Sequence, residues 1–138
     1  MNPFNELKDF KTLLVDDDEF IRDSLQIAFT TKGCAMRVAE SAEEGLQAIK
    51  EEQFDIIISD FRLPGMNGLD FLKLANVAQP EAINILITAY RDEYSFSEAI
   101  RIGVTELIEK PFSVKTLVTL LALALKRQNK KRIIAGKN

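Results

Sequence analysis

Residues 56–68 read Ile56-Ile57-Ile58-Ser59-Asp60-Phe61-Arg62-Leu63-Pro64-Gly65-Met66-Asn67-Gly68. A short apolar run ends on an acid, and a turn cluster of Pro, Gly and Asn follows. Leu69, Leu72 and Ala75 then recur at helical spacing. Three other apolar runs also end on polar residues. Leu13-Leu14-Val15 meets Asp16-Asp17, Ile85-Leu86-Ile87 meets Thr88, and Leu107-Ile108-Glu109 meets Lys110-Pro111. Apolar runs alternating with helix-period segments imply a parallel sheet with helices on both faces. The expected fold is α/β: a doubly wound (βα)5 flavodoxin-like domain whose five-stranded parallel sheet has the order 2-1-3-4-5.

The intervening segments fit that plan. Ile21, Leu25, Ala28 and Phe29 make the inner stripe of a first helix, which Gly33 ends. A strand over residues 35–39 carries Arg37, which places it at an edge. Ser41 and Glu44 form a capping-box pattern ahead of Leu46 and Ile49. Pro80 interrupts the chain before the fourth strand. Phe96, Ala99 and Ile100 mark a fourth helix that stops at Gly103, and a weak fifth strand runs from Thr105 to Glu109. Ser113 caps a last helix with the stripe Leu117, Val118, Leu121 and Leu125.

The 138 residues suit one domain, expected over 1–127, with 128–138 a basic C-terminal tail or linker. Six of the last 13 residues are basic and none is acidic, which leaves residues 1–125 with 12 basic against 21 acidic side chains. An acidic body argues against nucleic-acid binding by this domain. The only cysteine, Cys34, excludes an internal disulfide and a multi-cysteine zinc site, and its place before a strand suggests a buried, inert thiol. No histidine is present, which removes Ser-His-Asp catalysis and places any phosphohistidine on another protein. The first residues do not read as a secretory signal. No apolar stretch is long enough for a bilayer, so a cytoplasmic location with no membrane contact is expected.

In an open α/β sheet, ligands bind outside the carboxyl ends of the strands. There Asp16, Asp17 and Asp60 would line one crevice beside Thr88, with Lys110 reaching in from a farther strand. Three neighbouring carboxylates repel one another, and a hard dication relieves that conflict. Mg²⁺ takes oxygen ligands and is commonly held by carboxylates together with phosphate oxygens. A lysine nearby can hold a phosphoryl oxygen as a point charge. The set suggests a carboxylate that accepts a phosphoryl group. Asp60 stands alone at the end of a central strand and is the expected nucleophile. Asp16 and Asp17 are the expected metal ligands, and Thr88 the expected hydroxyl donor.

At this point the chain resembles the receiver domain of bacterial two-component response regulators, in a chemotaxis-regulator-like form. The matching pieces are Val15-Asp16-Asp17-Asp18, Ser59 to Gly68, Thr88-Ala89 and Lys110-Pro111-Phe112. Each is weak alone; in this order and spacing they are specific. The resemblance implies that Asp60 is the phosphoacceptor and that Mg²⁺ sits on Asp16, Asp17, Asp60 and the backbone carbonyl of Arg62. It implies that Thr88 and Lys110 contact the phosphoryl oxygens and that Lys110-Pro111 is a cis peptide. It implies a sensor histidine kinase or histidine phosphotransfer protein as donor and an output domain or downstream protein as target. The domain would be a monomer or a phosphorylation-linked dimer, and would catalyse only its own phosphorylation and dephosphorylation.

One departure stands out. Leu107 occupies the position, three residues before the lysine, where the family usually carries Tyr or Phe. The expected output therefore runs through the fourth β–α loop, from Tyr90 to Ser95, and the face made by the fourth and fifth helices and fifth strand. Arg62 and Tyr90 are expected to flank the path of a hydrolytic water and to slow loss of the phosphoryl group. The alternative is a pseudo-receiver, a constitutive interaction module, which Leu107 favours and the complete acidic and lysine set opposes. A haloacid-dehalogenase type phosphatase would need an acid where Arg62 stands. A flavodoxin would need a Ser/Thr-rich phosphate loop where three aspartates stand.

Overall fold

A computed structural model describes residues 2–89 and 96–136. A 3₁₀ turn, Pro3–Leu7, precedes ten elements. In chain order they are β1 (Lys11–Val15), α1 (Glu19–Thr31), β2 (Ala35–Ala39), α2 (Ala42–Glu51), β3 (Ile56–Asp60), α3 (Gly68–Ala78), β4 (Ile83–Thr88), α4 (Phe96–Arg101), β5 (Glu106–Glu109) and α5 (Val114–Gly136). All strand pairs are parallel, in the expected order β2-β1-β3-β4-β5.

Alternation along the central strands splits the core into two layers, because successive side chains leave opposite faces of a strand. Ile57, Leu13, Val15 and Leu86 pack with residues of α2, α3 and α4. Ile56, Ile58, Leu14, Ile83, Ile85 and Ile87 pack with α1 and α5. β3 and β4 are buried along their whole length, whereas β2 is only partly covered, as its edge position and Arg37 imply. Phe29 and Phe71 are fully buried, one in each layer; truncating either ring in such a setting costs about 3–5 kcal/mol.

The helix ends follow local chemistry. Asp18 caps α1, its Oδ1 accepting from the Phe20 and Ile21 amides at 2.9 and 3.4 Å. Gly33, at φ +77°, directly follows the C-cap residue Lys32. Ser41 Oγ accepts from the Glu44 amide at 3.1 Å. The return bond of the capping box is displaced by one residue, since Glu44 Oε1 accepts from the Glu40 amide at 3.5 Å.

Some expected positions differ. Ile100 is 46% exposed, and Ala99 alone of that pair enters the core. Ile21, Ala28, Leu46 and Leu125 are half-buried at the margins of the layers. The key inward position of α2 is Gly45, where a Cβ would come within 2.8 Å of the Phe71 ring and 2.9 Å of Val15 Cγ2. α5 continues past residue 127 to Gly136. The helix is tied to the body where its basic stretch begins, by Lys126 to Glu6 at 3.8 Å, Arg127 to Glu106, and Gln128 Nε2 to the Glu81 carbonyl at 2.6 Å. Cys34 is buried, and burial pushes its thiol pKa up, as suits an inert side chain. No helix among the described residues is long and apolar enough to cross a membrane.

Candidate phosphoryl-acceptor site

The strand order reverses between β1 and β3, and the acids sit at the carboxyl ends of those two strands. Asp16 follows β1, and its amide extends the ladder to the Ala39 carbonyl of β2 at 3.1 Å. Asp60 is the last residue of β3, level with Ile87 of β4. Carboxylate oxygens of Asp16, Asp17 and Asp60 all lie within 4.8 Å of one another. Asp16 is fully buried and Asp60 is 5% exposed, while Asp17 is open to solvent.

Lys110 closes the far side. Its Nζ lies 3.0 Å from Asp60 Oδ2 and 3.8 Å from Asp16 Oδ2. The Lys110 amide donates to the Thr88 carbonyl at 2.7 Å, which joins the end of β5 to the end of β4. Thr88 itself is 5% exposed. The Lys110–Pro111 peptide is cis.

The loop after Asp60 is shaped by close approach. The Phe61 amide donates to Ile87 O at 2.8 Å, and the Gly68 amide donates to Phe61 O at 2.7 Å. The second bond folds the loop back onto the strand end. A Cβ on Gly68 would lie 1.9 Å from the Asp60 carbonyl oxygen, so this contact requires glycine. Ser59, fully buried, donates its hydroxyl to the same carbonyl at 3.0 Å. Arg62 is exposed on this loop, two residues past Asp60.

Electrostatics report a surplus of negative charge. Burial pushes the Asp16 pKa up to about 6; the amide of Asp18 opposes this, and the charge of Asp60 adds to it. Burial also raises the Asp60 pKa, against the hydrogen bond and charge of Lys110. Burial alone would lower the Lys110 pKa, but its bond to Asp60 and the charges of Asp16 and Asp60 raise it overall. One lysine does not compensate the acids. Asp16 Oδ1 accepts from the Asp18 amide at 2.9 Å, yet buried Asp16 Oδ2 accepts no hydrogen bond among the described residues. A buried carboxylate oxygen that accepts no hydrogen bond, with Lys110 no nearer than 3.8 Å and two further carboxylates beside it, fits a hard dication with oxygen ligands.

The structure therefore brings together five of the residues expected from the sequence: Asp16, Asp17, Asp60 and Lys110 by direct proximity, and Thr88 through the backbone. Leu107 is half-buried on β5, level with Leu86. Tyr90, Tyr94 and the rest of the 90–95 loop lie outside the described residues. Sequence reasoning passed over Ser59 and Gly68 as site-shaping residues. It read Gly68 only as part of a turn, because its contact with Asp60 exists only once the loop folds back.

The match to known proteins covers the same region. Residues 12–122 match the family model described as the response regulator receiver domain. The DNA-binding transcriptional regulator NtrC of Proteus hauseri is 35% identical over 112 residues, which are 81% of this chain and 24% of that protein. The transcriptional regulatory protein FixJ of Bradyrhizobium diazoefficiens is 28% identical over 114 residues, 83% of this chain and 56% of that one. The chain thus spans from about a quarter to about half the length of these two relatives. Among solved structures, a CheY-like response regulator receiver domain protein from Methanospirillum hungatei superposes with a TM-score of 0.83 at 30% identity, covering 88% of this chain and 98% of that one.

Proposed function

This chain belongs to the response regulator receiver domain family, and on that footing we propose that it is a phosphorylation-controlled switch whose acceptor is Asp60. The observation that carries the reading is the pairing of Asp60 Oδ2 with Lys110 Nζ at 3.0 Å, inside a cluster of three carboxylates. The donor is a phosphohistidine on a sensor histidine kinase or histidine phosphotransfer protein, since this chain has no histidine of its own. The exchange takes place in the cytoplasm.

An Asp60 carboxylate oxygen forms the new O–P bond as the N–P bond of the donor imidazole breaks, and the departing imidazole takes up a proton from solvent. Lys110 stays on a phosphoryl oxygen as a fixed positive charge, and Thr88 offers its hydroxyl to another. Ala89 leaves space beside them. Asp16, Asp17, Asp60 and the Arg62 carbonyl would hold Mg²⁺. When bound, that ion supplies the charge neutralisation that lets an anionic donor approach anionic ligands. Water later cleaves the acyl phosphate and restores the carboxylate, so the protein turns over nothing but its own modification. Arg62 and Tyr90 slow that step.

Output runs through the face of α4, β5 and α5. A groove of about 830 Å³ between β5 and α5, lined by Leu107, Phe112, Leu120 and Leu123 among others, supports the β5–α5 part of this placement. It offers an apolar surface to an output domain, a downstream protein or a second copy.

Intact mass after incubation with acetyl phosphate and Mg²⁺ tests the reading. A single phosphoryl adduct that needs Mg²⁺ and is lost in Asp60→Asn is expected. Wild-type protein that stays unmodified would overturn the reading and return the chain to a constitutive interaction module.

A further inference from the structure

We infer that Arg22 is the positioning residue of the acidic pair: it fixes the peptide between Asp16 and Asp17 and so sets the geometry in which their carboxylates meet a divalent cation. The inference rests on the metal reading above and deepens it.

Asp16 lies one residue past the end of β1, where the sheet no longer supplies partners on both sides. Its amide still finds the ladder, at Ala39 O. Its carbonyl turns away and accepts from Arg22 Nη1 at 2.8 Å. Arg22 sits in the first turns of α1, and its own amide donates to Asp18 O at 3.0 Å. The guanidinium side chain is only 15% exposed and reaches onward to Glu40 Oε2, after β2, at 3.7 Å. Burying a cation this far is costly unless it is paired and hydrogen-bonded. An ion pair at 3.7 Å to a side chain that is 62% exposed is weak compensation. The short bond to Asp16 O is the stronger contact of the two.

That bond has a chemical consequence. The plane of the Asp16–Asp17 peptide can turn by rotation of the torsions on either side of it. Turned inward, the carbonyl would bring a fourth oxygen dipole toward three carboxylates that already repel. Held outward by the guanidinium, it stays clear of the cluster. On the other flank, the Asp18 amide is bound to Asp16 Oδ1 at 2.9 Å and Asp18 caps α1. Both peptide units around Asp17 are therefore anchored, although its own side chain is exposed. Among the described residues, Arg22 bonds the Asp16 carbonyl and pairs with Glu40 but with no carboxylate of the cluster; it acts through the backbone.

The test compares Arg22→Met, which keeps the apolar stem and removes the donor, with Arg22→Lys, which keeps a charged donor. Mg²⁺ affinity is measured by titration calorimetry, and amide shifts and the melting temperature of the metal-free protein are recorded alongside. The expected result is Mg²⁺ binding weakened roughly 10-fold in Arg22→Met, the order seen when a residue supporting metal ligands is lost. Binding within about twofold of wild type is expected in Arg22→Lys, with metal-free shift changes centred on Asp16 to Asp18. A residue that only packs α1 would lower the melting temperature and leave Mg²⁺ affinity alike in both variants, and that result overturns the inference. If Arg22→Met does not fold, Arg22→Leu, which also lacks a donor, takes its place with the same expectation. Wild-type protein that does not bind Mg²⁺ would overturn the metal reading itself, a failure distinct from wild-type binding that survives loss of the guanidinium.

Discussion

Lys110 Nζ lies 3.0 Å from Asp60 Oδ2 although 50 residues separate them in the chain. The contact joins the ends of two strands that are not neighbours, since β4 lies between β3 and β5. Lys110 therefore reaches across Thr88 to meet Asp60, and under the proposed function its charge would serve the carboxylates in one state and the phosphoryl group in the other.

Replacing Lys110 with Met separates those roles. Phosphoryl transfer from acetyl phosphate should slow by roughly 100-fold, the loss typical of removing one preorganised donor of this kind. Mg²⁺ binding should tighten, because a competing cation has left the cluster. Adduct formation followed by mass spectrometry and Mg²⁺ titration report the two effects. A parallel fall in both would contradict the assignment.

Asp16 gives the metal-free protein a pH dependence of defined sign. Its folded pKa is raised from 3.8 to about 6. Between those values the folded state holds a proton that the unfolded chain has released, so stability falls as pH rises through the window. At pH 7 the penalty is on the order of 2–3 kcal/mol. Asp16→Asn should therefore be more stable than wild type at pH 7 in chelator, with the advantage shrinking toward pH 4. The same variant should lose Mg²⁺-induced stabilisation. Melting curves of both proteins across that range check the sign.

Gly68→Ala places a methyl group against the backbone of the proposed acceptor, 1.9 Å from Asp60 O and 2.9 Å from Ser59 Oγ. Backbone cannot yield as a flexible side chain can, so a cost of about 1–3 kcal/mol or more is expected. Asp60 must also shift, which should slow phosphoryl transfer. Gly65→Asn is the control: that position has φ +76° with open space around it, and Asn tolerates the left-handed region. Urea denaturation and adduct rates distinguish the two sites.

Gln79 supplies a stability test that should leave the chemistry alone. It is 3% exposed at the end of α3. Its Oε1 accepts from the Phe54 amide at 2.8 Å, and its Nε2 donates to Ile49 O at 3.0 Å and Glu52 O at 2.7 Å. Gln79→Ala leaves these backbone groups unpaired, at about 1–3 kcal/mol for each group that stays buried. The expected outcome is a lower denaturation midpoint with an unchanged phosphorylation rate per folded molecule.

The contrast among these residues shows what was readable in advance. The central strands announce themselves because both of their faces are buried, which leaves continuous runs such as Ile56-Ile57-Ile58. Strand order and the meeting of Asp16, Asp60 and Lys110 followed from those runs together with the family resemblance. Gly45, Gly68, Gln79 and Arg22 were silent because each is defined by a partner distant in sequence or folded back onto it. A glycine that admits the Phe71 ring looks like any helix glycine until the ring arrives. Ile100 misled for the opposite reason: α4 is short, and among its described side chains Ala99 meets the core while Ile100 faces out. Leu107 was visible as a departure, and its half-buried place on β5 fits an apolar packing residue.

α5 carries a mechanical consequence. Its 23 residues make a rod about 35 Å long, held by Leu117, Val118, Leu121 and Ala124 in the second core layer and then by Lys126, Arg127 and Gln128. A rod of that length is a lever. Beyond the ties from Lys126, Arg127 and Gln128, residues 129–136 extend about 12 Å, so a tilt of about 10° there displaces Gly136 by about 2 Å. Under the proposed function, an adjustment beside Asp60 that tilts this helix would be carried along it to its far end.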